Sequence, residues 1–326
     1  MIKSRNLLAA VLTLGVALGG ATLASGAASP ATSSQVSAIV EPAAGYSFFY
    51  TQVAAAKKSV DLSMYELADQ AAVSALVGAE KRGVAVRVIL DSAYSGQYVN
   101  QSAYGALVAG GVKVVWAPSG VIFHAKYFVV DGNVAYVGTG NLTAKWYSST
   151  RDYFVRDTNS AGVAAIEGVF NADFAGVAAN LASGSGGLVW SPGSQSALVG
   201  LIGSATKSVI VENEEMSSSA VLQALESAAR RGVHVDVAMT YSSSWSGAFS
   251  QLKAAGVSVH VLSSSQVYIH AKAICADNKR LFVGSENFST SSLSYNRELG
   301  VVVPVSAAVS PIVSAMQSDF ASGRAW

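Results

Sequence analysis

The chain has 326 residues, 51% hydrophobic and 13% charged, a balance that supplies a sizeable core and excludes wholesale disorder. Its formal charge of +1 lacks the basic excess of a nonspecific nucleic-acid binder. With Cys275 as the one cysteine, no intramolecular disulfide can form in any compartment.

Lys3 and Arg5 precede an apolar stretch from Leu7 to Leu18, followed by the small-residue run Ala24-Ser25-Gly26-Ala27-Ala28. This is the pattern of a cleaved secretory signal over residues 1–28, and it implies export to the periplasm or the medium. Loss of Lys3 and Arg5 leaves 19 basic against 20 acidic residues, a net charge of −1.

The remainder is a duplication. Lys58-Ser59-Val60-Asp61-Leu62 recurs as Lys207-Ser208-Val209-Ile210-Val211, and Lys81-Arg82-Gly83-Val84 as Arg230-Arg231-Gly232-Val233. Ala109-Gly110-Gly111-Val112 recurs as Ala254-Ala255-Gly256-Val257. The units are residues 29–182 and 195–326, and a Gly/Ser-rich linker is expected over 183–194.

In the first unit, strand-like Ser59 to Met64 precedes a helix capped by Asp69 and ended by Gly83. Strand Val84 to Leu90 follows, then a helix carrying Tyr104 and Leu107, then strand Val112 to Trp116. The second unit repeats this order, with helices around Val221 to Ala229 and Phe249 to Ala255. Short strand–helix–strand alternation with apolar strands predicts α/β layers: two homologous α/β/α halves with largely parallel central sheets. The uncharged run Leu299 to Met316 is interrupted by Pro304 and Pro311, and is expected to be a core strand followed by a helix rather than a membrane span.

The end of each unit carries the chemistry. The first reads His124-Ala125-Lys126, then Asp131, then Gly138-Thr139-Gly140-Asn141. The second reads His270-Ala271-Lys272, then Asp277, then Gly284-Ser285-Glu286-Asn287. An acid, Asp152 or Glu298, comes 11 positions after each asparagine. On a strand, i and i+2 share a face, so each histidine projects with its lysine. Asp131-Gly132-Asn133 and Asp277-Asn278 are turn formers, and each strand should fold back as a hairpin. Imidazole, ammonium, amide and hydroxyl groups together suit an anionic phosphoryl group. Cys275 alternates with His270 and Lys272 and should face the core, and His234 and His260 lack such company. No cluster of His, Cys and carboxylates has metal-ligand spacing, so neither a metal nor another cofactor is expected.

His-x-Lys-x4-Asp followed by Gly-Thr/Ser-x-Asn, present twice, resembles the signature of the phospholipase D superfamily. The resemblance spans about 280 residues, from near Tyr46 to the C-terminus. It implies a pseudo-twofold arrangement of the two halves and catalysis through a phosphohistidine. His124 would be the nucleophile and His270 the acid, with Lys126, Lys272, Asn141 and Asn287 on the nonbridging oxygens. Asp152 and Glu298 would orient the histidines. Asp131 and Asp277 complete the catalytic motif, although their turn position points to holding the hairpin. Thr139 and Asp152 stand where the second half has Ser285 and Glu298, which can change the reach of the two halves.

The resemblance leaves the substrate open. A phospholipase D acting on glycerophospholipid head groups at a membrane surface or micelle is the leading reading. Export and the aromatics Trp116, Phe123, Trp146, Tyr147, Trp245 and Tyr268 support it. The alternative is a secreted nuclease using Lys145, Arg151, Lys279, Arg280 and Arg297 on a phosphate backbone. No obligate protein partner is evident.

Overall fold

The computed structural model describes residues 31–94, 96–181 and 185–326; the segment read as a secretory signal lies outside them. The first half runs β1 (Val36–Val40), α1 (Ser47–Ala55), β2 (Ser59–Met64), α2 (Gln70–Lys81), β3 (Ala85–Leu90), α3 (Gly96–Ala109) and β4 (Lys113–Trp116). It continues β5 (Lys126–Val130), β6 (Val134–Gly138), β7 (Thr150–Arg151), β8 (Tyr153–Asp157) and α4 (Ser160–Phe174). The second half opens β9 (Leu188–Ser191), α5 (Ser194–Gly203), β10 (Ser208–Glu212), α6 (Ser219–Arg230), β11 (His234–Thr240), α7 (Ser246–Ala254) and β12 (Ser258–Leu262). It closes with β13 (Tyr268–Ile269), β14 (Ala273–Ala276), β15 (Arg280–Gly284), α8 (Thr290–Ser294), β16 (Glu298–Pro304), α9 (Ser310–Ser322) and β17 (Arg324–Ala325).

The first sheet has seven strands ordered β1-β8-β6-β5-β2-β3-β4, and the second has eight ordered β17-β12-β11-β10-β14-β15-β16-β9. Read from β9, the second sheet repeats the first and adds β17 at its edge. The parallel pairs are β2–β3, β3–β4, β10–β11 and β11–β12, whose strands are joined through helices. Pairing is antiparallel where turns join the strands, as in β5–β6 and β14–β15, so each sheet as a whole is mixed. Asp69 caps α2 by accepting from the Ala71 N–H at 2.8 Å, and Ser218 caps α6 from Val221.

A core shared by both halves lies between the sheets. Tyr127, Val129 and Val137 meet Cys275, Leu281 and Val283 there, with Val163, Ile166 and Phe170 of α4 and Ile312, Val313 and Met316 of α9. Helices α1 to α3 cover the outer face of the first sheet, and α5 to α7 that of the second. Cys275 faces the shared core as expected, and burial pushes its thiol up to about 11.

Two segments carry the remaining sequence expectations. Leu188–Ser191, assigned to the linker, is instead the edge strand β9, paired antiparallel with β16. The short apolar run is flanked by Gly and Ser on both sides, which masked it. The uncharged run from Leu299 to Met316 lies in β16 and α9, and among the described residues no helix is long and apolar enough to cross a membrane.

Candidate active site

The two halves are stitched by their main chains at the histidines. His124 N–H donates to the Arg297 carbonyl at 2.9 Å, and Arg297 N–H to the Ile122 carbonyl at 2.9 Å. On the other side β13 pairs in parallel with β7, Tyr268 opposite Thr150 and Ile269 opposite Arg151. His270 N–H donates to the Arg151 carbonyl at 3.2 Å. Each histidine is thus zipped to the residue just before the other half's acid. His124 Nδ1 lies 2.9 Å from Glu298 Oε2, and His270 Nδ1 lies 2.8 Å from Asp152 Oδ1. The dyads form crosswise, and this reciprocity is that of a pseudo-twofold axis.

The contacts fix tautomers. His124 Nδ1 also faces the Ser285 carbonyl at 3.1 Å; with two acceptors before it, Nδ1 carries the hydrogen and Nε2 keeps its lone pair. Burial, and next the Lys126 charge, push His124 down to about 4, against the pull of Glu298. Burial opposes ionisation of Glu298 and Asp152. Both are nonetheless held below the usual carboxylate range, Glu298 chiefly by His124 and Lys126, Asp152 chiefly by His270 and Lys272. Lys126 and Lys272 are fully buried. Each ammonium donates to the carbonyl of its own motif histidine at 2.5 Å. Burial and then the Lys272 charge lower Lys126 to about 7.

The return strands support this set. A Cβ on Gly138 would overlap the Phe154 ring, and one on Gly284 would stand 2.5 Å from Gly300 Cα, so close strand packing excludes a side chain at either motif glycine. Thr139 Oγ1 donates to Asp152 Oδ1 at 2.6 Å and accepts from Tyr153 N–H at 3.0 Å. Ser285 Oγ accepts from Leu299 N–H at 3.2 Å. The hydroxyls therefore brace the acid-bearing strands. Asn141 and Asn287 line a cavity of about 790 Å³ together with His124, His270 and Asp152. Both asparagine Oδ1 atoms are buried without a protein partner.

Two further residues of this cavity escape the motif. Tyr65 and Glu214 stand at equivalent places of the repeat, just past the ends of β2 and β10. The Tyr65 ring meets the His124 ring with centroids 4.7 Å apart, and Lys126 Nζ stands 5.0 Å from its centre. Glu214 Oε2 instead lies 3.0 Å from Lys272 Nζ and 3.5 Å from His270 Nε2, and Tyr268 donates its hydroxyl hydrogen to Oε1 at 3.0 Å. Extending the repeat alignment past the ends of the two central strands is the signal that finds them.

The family model described as "Cardiolipin synthase, PLD-like domain" matches residues 49–174 and 198–322. The chain belongs to this family. It is thereby a member of the phospholipase D superfamily. Among curated relatives it is 26% identical to the probable cardiolipin synthase YwiE of Bacillus subtilis over 129 residues, covering 38% of this chain and 26% of that protein. It is 25% identical to cardiolipin synthase A of Pectobacterium carotovorum over 288 residues, covering 71% and 57%. The chain thus spans little more than half of these relatives' length at most. Phosphatidylserine synthase from Haemophilus influenzae shares the fold, with a TM-score of 0.69, 11% identity and coverage of 91% of this chain and 89% of that one.

Other motif residues of this PLD-like domain lie elsewhere. Asp131 and Asp277, counted with the catalytic set, sit at the hairpin turns with φ of 55° and 54°, roughly 20 Å along an extended chain from the histidines. Asp131 accepts from the N–H groups of Lys57, Lys58 and Ser59, and Asp277 from those of Thr206, Lys207 and Ser208. They anchor the chain entering β2 and β10 and are structural, because the hairpin carries them to the opposite end from His124 and His270. His234 pairs with Asp236 on the surface, and His260 stacks on Phe320.

The cations set aside for a nucleic-acid backbone do not form a track. Arg151 is bound to Asp319 and the Glu41 carbonyl, and Arg297 to Asp173. Lys279 and Arg280 belong to the remote β14–β15 turn, and Lys145 lies over the Trp146 ring. Of the aromatics, Trp146, Tyr147 and Tyr268 line the cavity, and Trp245 lines a side cavity of about 230 Å³. Phe123 is buried in the shared core and Trp116 stacks on Tyr104. Among the described residues no group of His, Cys, Asp and Glu is placed to hold a metal ion.

Proposed function

We propose that this PLD-like domain is an exported phospholipase D-type phosphodiesterase, cleaving phospholipid head groups through a phosphohistidine on His124. The lipid reading is carried by the cavity lining, which includes Tyr46, Tyr65, Trp146, Tyr147 and Tyr268, Glu66, Glu214 and Glu215, and, among the described residues, no lysine or arginine. A wall of rings and carboxylates suits a head group and glyceride stem and repels a polyanionic strand. The relatives named as cardiolipin synthases support a lipid substrate, and the secretory pattern of residues 1–28 supports export.

In the first step His124 Nε2 forms a bond to phosphorus as the bond to the leaving oxygen breaks. That oxygen takes the proton from His270 Nε2 and departs as an alcohol. Water then gives a proton to His270 Nε2, its oxygen bonds to phosphorus, and the N–P electron pair returns to His124. An alcohol in place of water gives transfer instead of hydrolysis. Asn141 and Asn287, which line the cavity, meet the nonbridging oxygens, and the buried charges of Lys126 and Lys272 behind the histidines stabilise the negative charge there through space.

The test is side-by-side assay of purified wild type and His124→Asn on phospholipid vesicles and single-stranded DNA. Phosphatidic acid or a transfer product from wild type only is the expected result. Cleavage of DNA with lipid left intact would overturn the lipid reading and favour the nuclease.

A further inference from the structure

The duplicated site is symmetric at Nδ1 of each histidine and asymmetric at the reactive side. His270 stands between two carboxylates: Asp152 at Nδ1, 2.8 Å away, and Glu214 near Nε2, 3.5 Å away. The second distance exceeds that of a good hydrogen bond but lies well within Coulombic reach. Each ring nitrogen of this imidazole therefore faces a carboxylate oxygen, so a hydrogen on either one has an acceptor before it. His124 has a carboxylate and a carbonyl at Nδ1, an aromatic ring at the place equivalent to Glu214, and Lys126 at its back. It is favoured neutral, with the Nε2 lone pair available.

The backbone holds both residues firmly. Asn100 accepts from Leu67 N–H and donates to the Tyr65 carbonyl, at 2.7 and 2.8 Å. Asn213 Oδ1 accepts from Glu215 N–H and Phe288 N–H, each at 3.1 Å. Glu214 also keeps its charge. Burial opposes ionisation, but Lys272 and His270 hold the carboxyl far below its usual range.

We propose that Glu214 is the positioning residue that makes His270 the proton donor, Tyr65 at the matching place leaving His124 as the nucleophile. This deepens the phosphohistidine reading and rests on it. Glu214 touches no reacting atom: it favours the proton on His270 Nε2, and that proton passes to the leaving oxygen as the P–O bond breaks. A mere salt bridge to Lys272 predicts something different, namely weaker phosphate binding with no bearing on the leaving group.

The experiment uses soluble methyl aryl phosphodiesters of graded leaving ability, from p-nitrophenyl to unsubstituted phenyl, with rapid acid quench and mass mapping of the phosphorylated histidine. In Glu214→Gln the rate on the phenyl ester should fall at least tenfold more than on the p-nitrophenyl ester, because only the poor leaving group needs the proton. Glu214→Asp should restore part of the difference. In the exchange variant Tyr65→Glu with Glu214→Tyr, label should move from His124 toward His270. Equal losses on both esters in Glu214→Gln, with label on His124 in the exchange variant, would overturn the inference and leave the phosphohistidine mechanism standing. Absence of any phosphohistidine in wild type would overturn the proposed mechanism itself, and this inference with it.

Discussion

Replacing either orienting acid by its amide should have very different consequences in the two dyads. Glu298 Oε1 accepts from Ser292 Oγ at 2.5 Å and Asn296 Nδ2 at 3.0 Å, while Oε2 faces His124 Nδ1. In Glu298→Gln those two donors keep the amide oxygen and turn the NH₂ toward His124. Nδ1 must then accept, the hydrogen moves to Nε2, and the nucleophilic lone pair is lost. In Asp152→Asn the situation reverses. One oxygen, Oδ1, accepts from both Thr139 Oγ1 and His270 Nδ1, so an amide oxygen there preserves the tautomer. Only the charge is lost. A forced wrong tautomer costs roughly 10⁴-fold in kcat, as for an amide replacing the acid of a serine-protease triad, or about 5.5 kcal/mol of barrier. Weakening a charge-assisted hydrogen bond costs about 1–2 kcal/mol, or roughly five- to thirtyfold. Pre-steady-state release of p-nitrophenol, with quantified phosphohistidine and a circular dichroism check of folding, measures both. Equal losses in the two variants, or wild-type phosphohistidine formation in Glu298→Gln, would refute the tautomer argument.

Three further outcomes are expected. His124 is a free base above about pH 4 and Lys126 is charged below about pH 7, so kcat/KM on a soluble diester should rise through the first value and fall through the second; a flat profile from pH 6 to 9 would contradict the placement of Lys126. Asp131→Ala removes an acceptor of three backbone N–H groups and should lower the melting temperature by a few degrees while kcat stays within about twofold, measured by thermal denaturation and initial rates. Dialysis against a strong chelator should leave activity on a soluble diester intact, and loss restored by one divalent ion alone would show a metal in the mechanism.

The duplication, both hairpins and the catalytic pairs were legible because they rest on local periodicity and on spacing repeated residue for residue. The crosswise dyads were not. Asp152 and Glu298 stand out as acids following each motif, but their partners depend on how the two sheets meet, which no short-range pattern encodes. Arg151 and Arg297 misled for a related reason. They adjoin the acids in sequence, yet alternation along the strand turns their side chains away to Asp319 and Asp173. Asp131 and Asp277 carried two readings, motif member and turn former, and the hairpin geometry decided for the turn. Tyr65 and Glu214 were overlooked because they differ between halves, whereas a search for repeats rewards what is the same.

The covalent joining of the halves has a consequence for how such a site can evolve. In a dimer of identical single-motif chains, a glutamate placed beside one histidine is necessarily placed beside its mate, and both imidazoles feel the same field. Attacking and donating roles would then be drawn by chance at each encounter with substrate. Fusion lifts that constraint. The positions of Tyr65 and Glu214 are read from separate codons, so one copy can specialise for giving up a proton while the other specialises for attack. The crosswise dyads keep that divergence within bounds, because each half still supplies the carboxylate on which its neighbour depends.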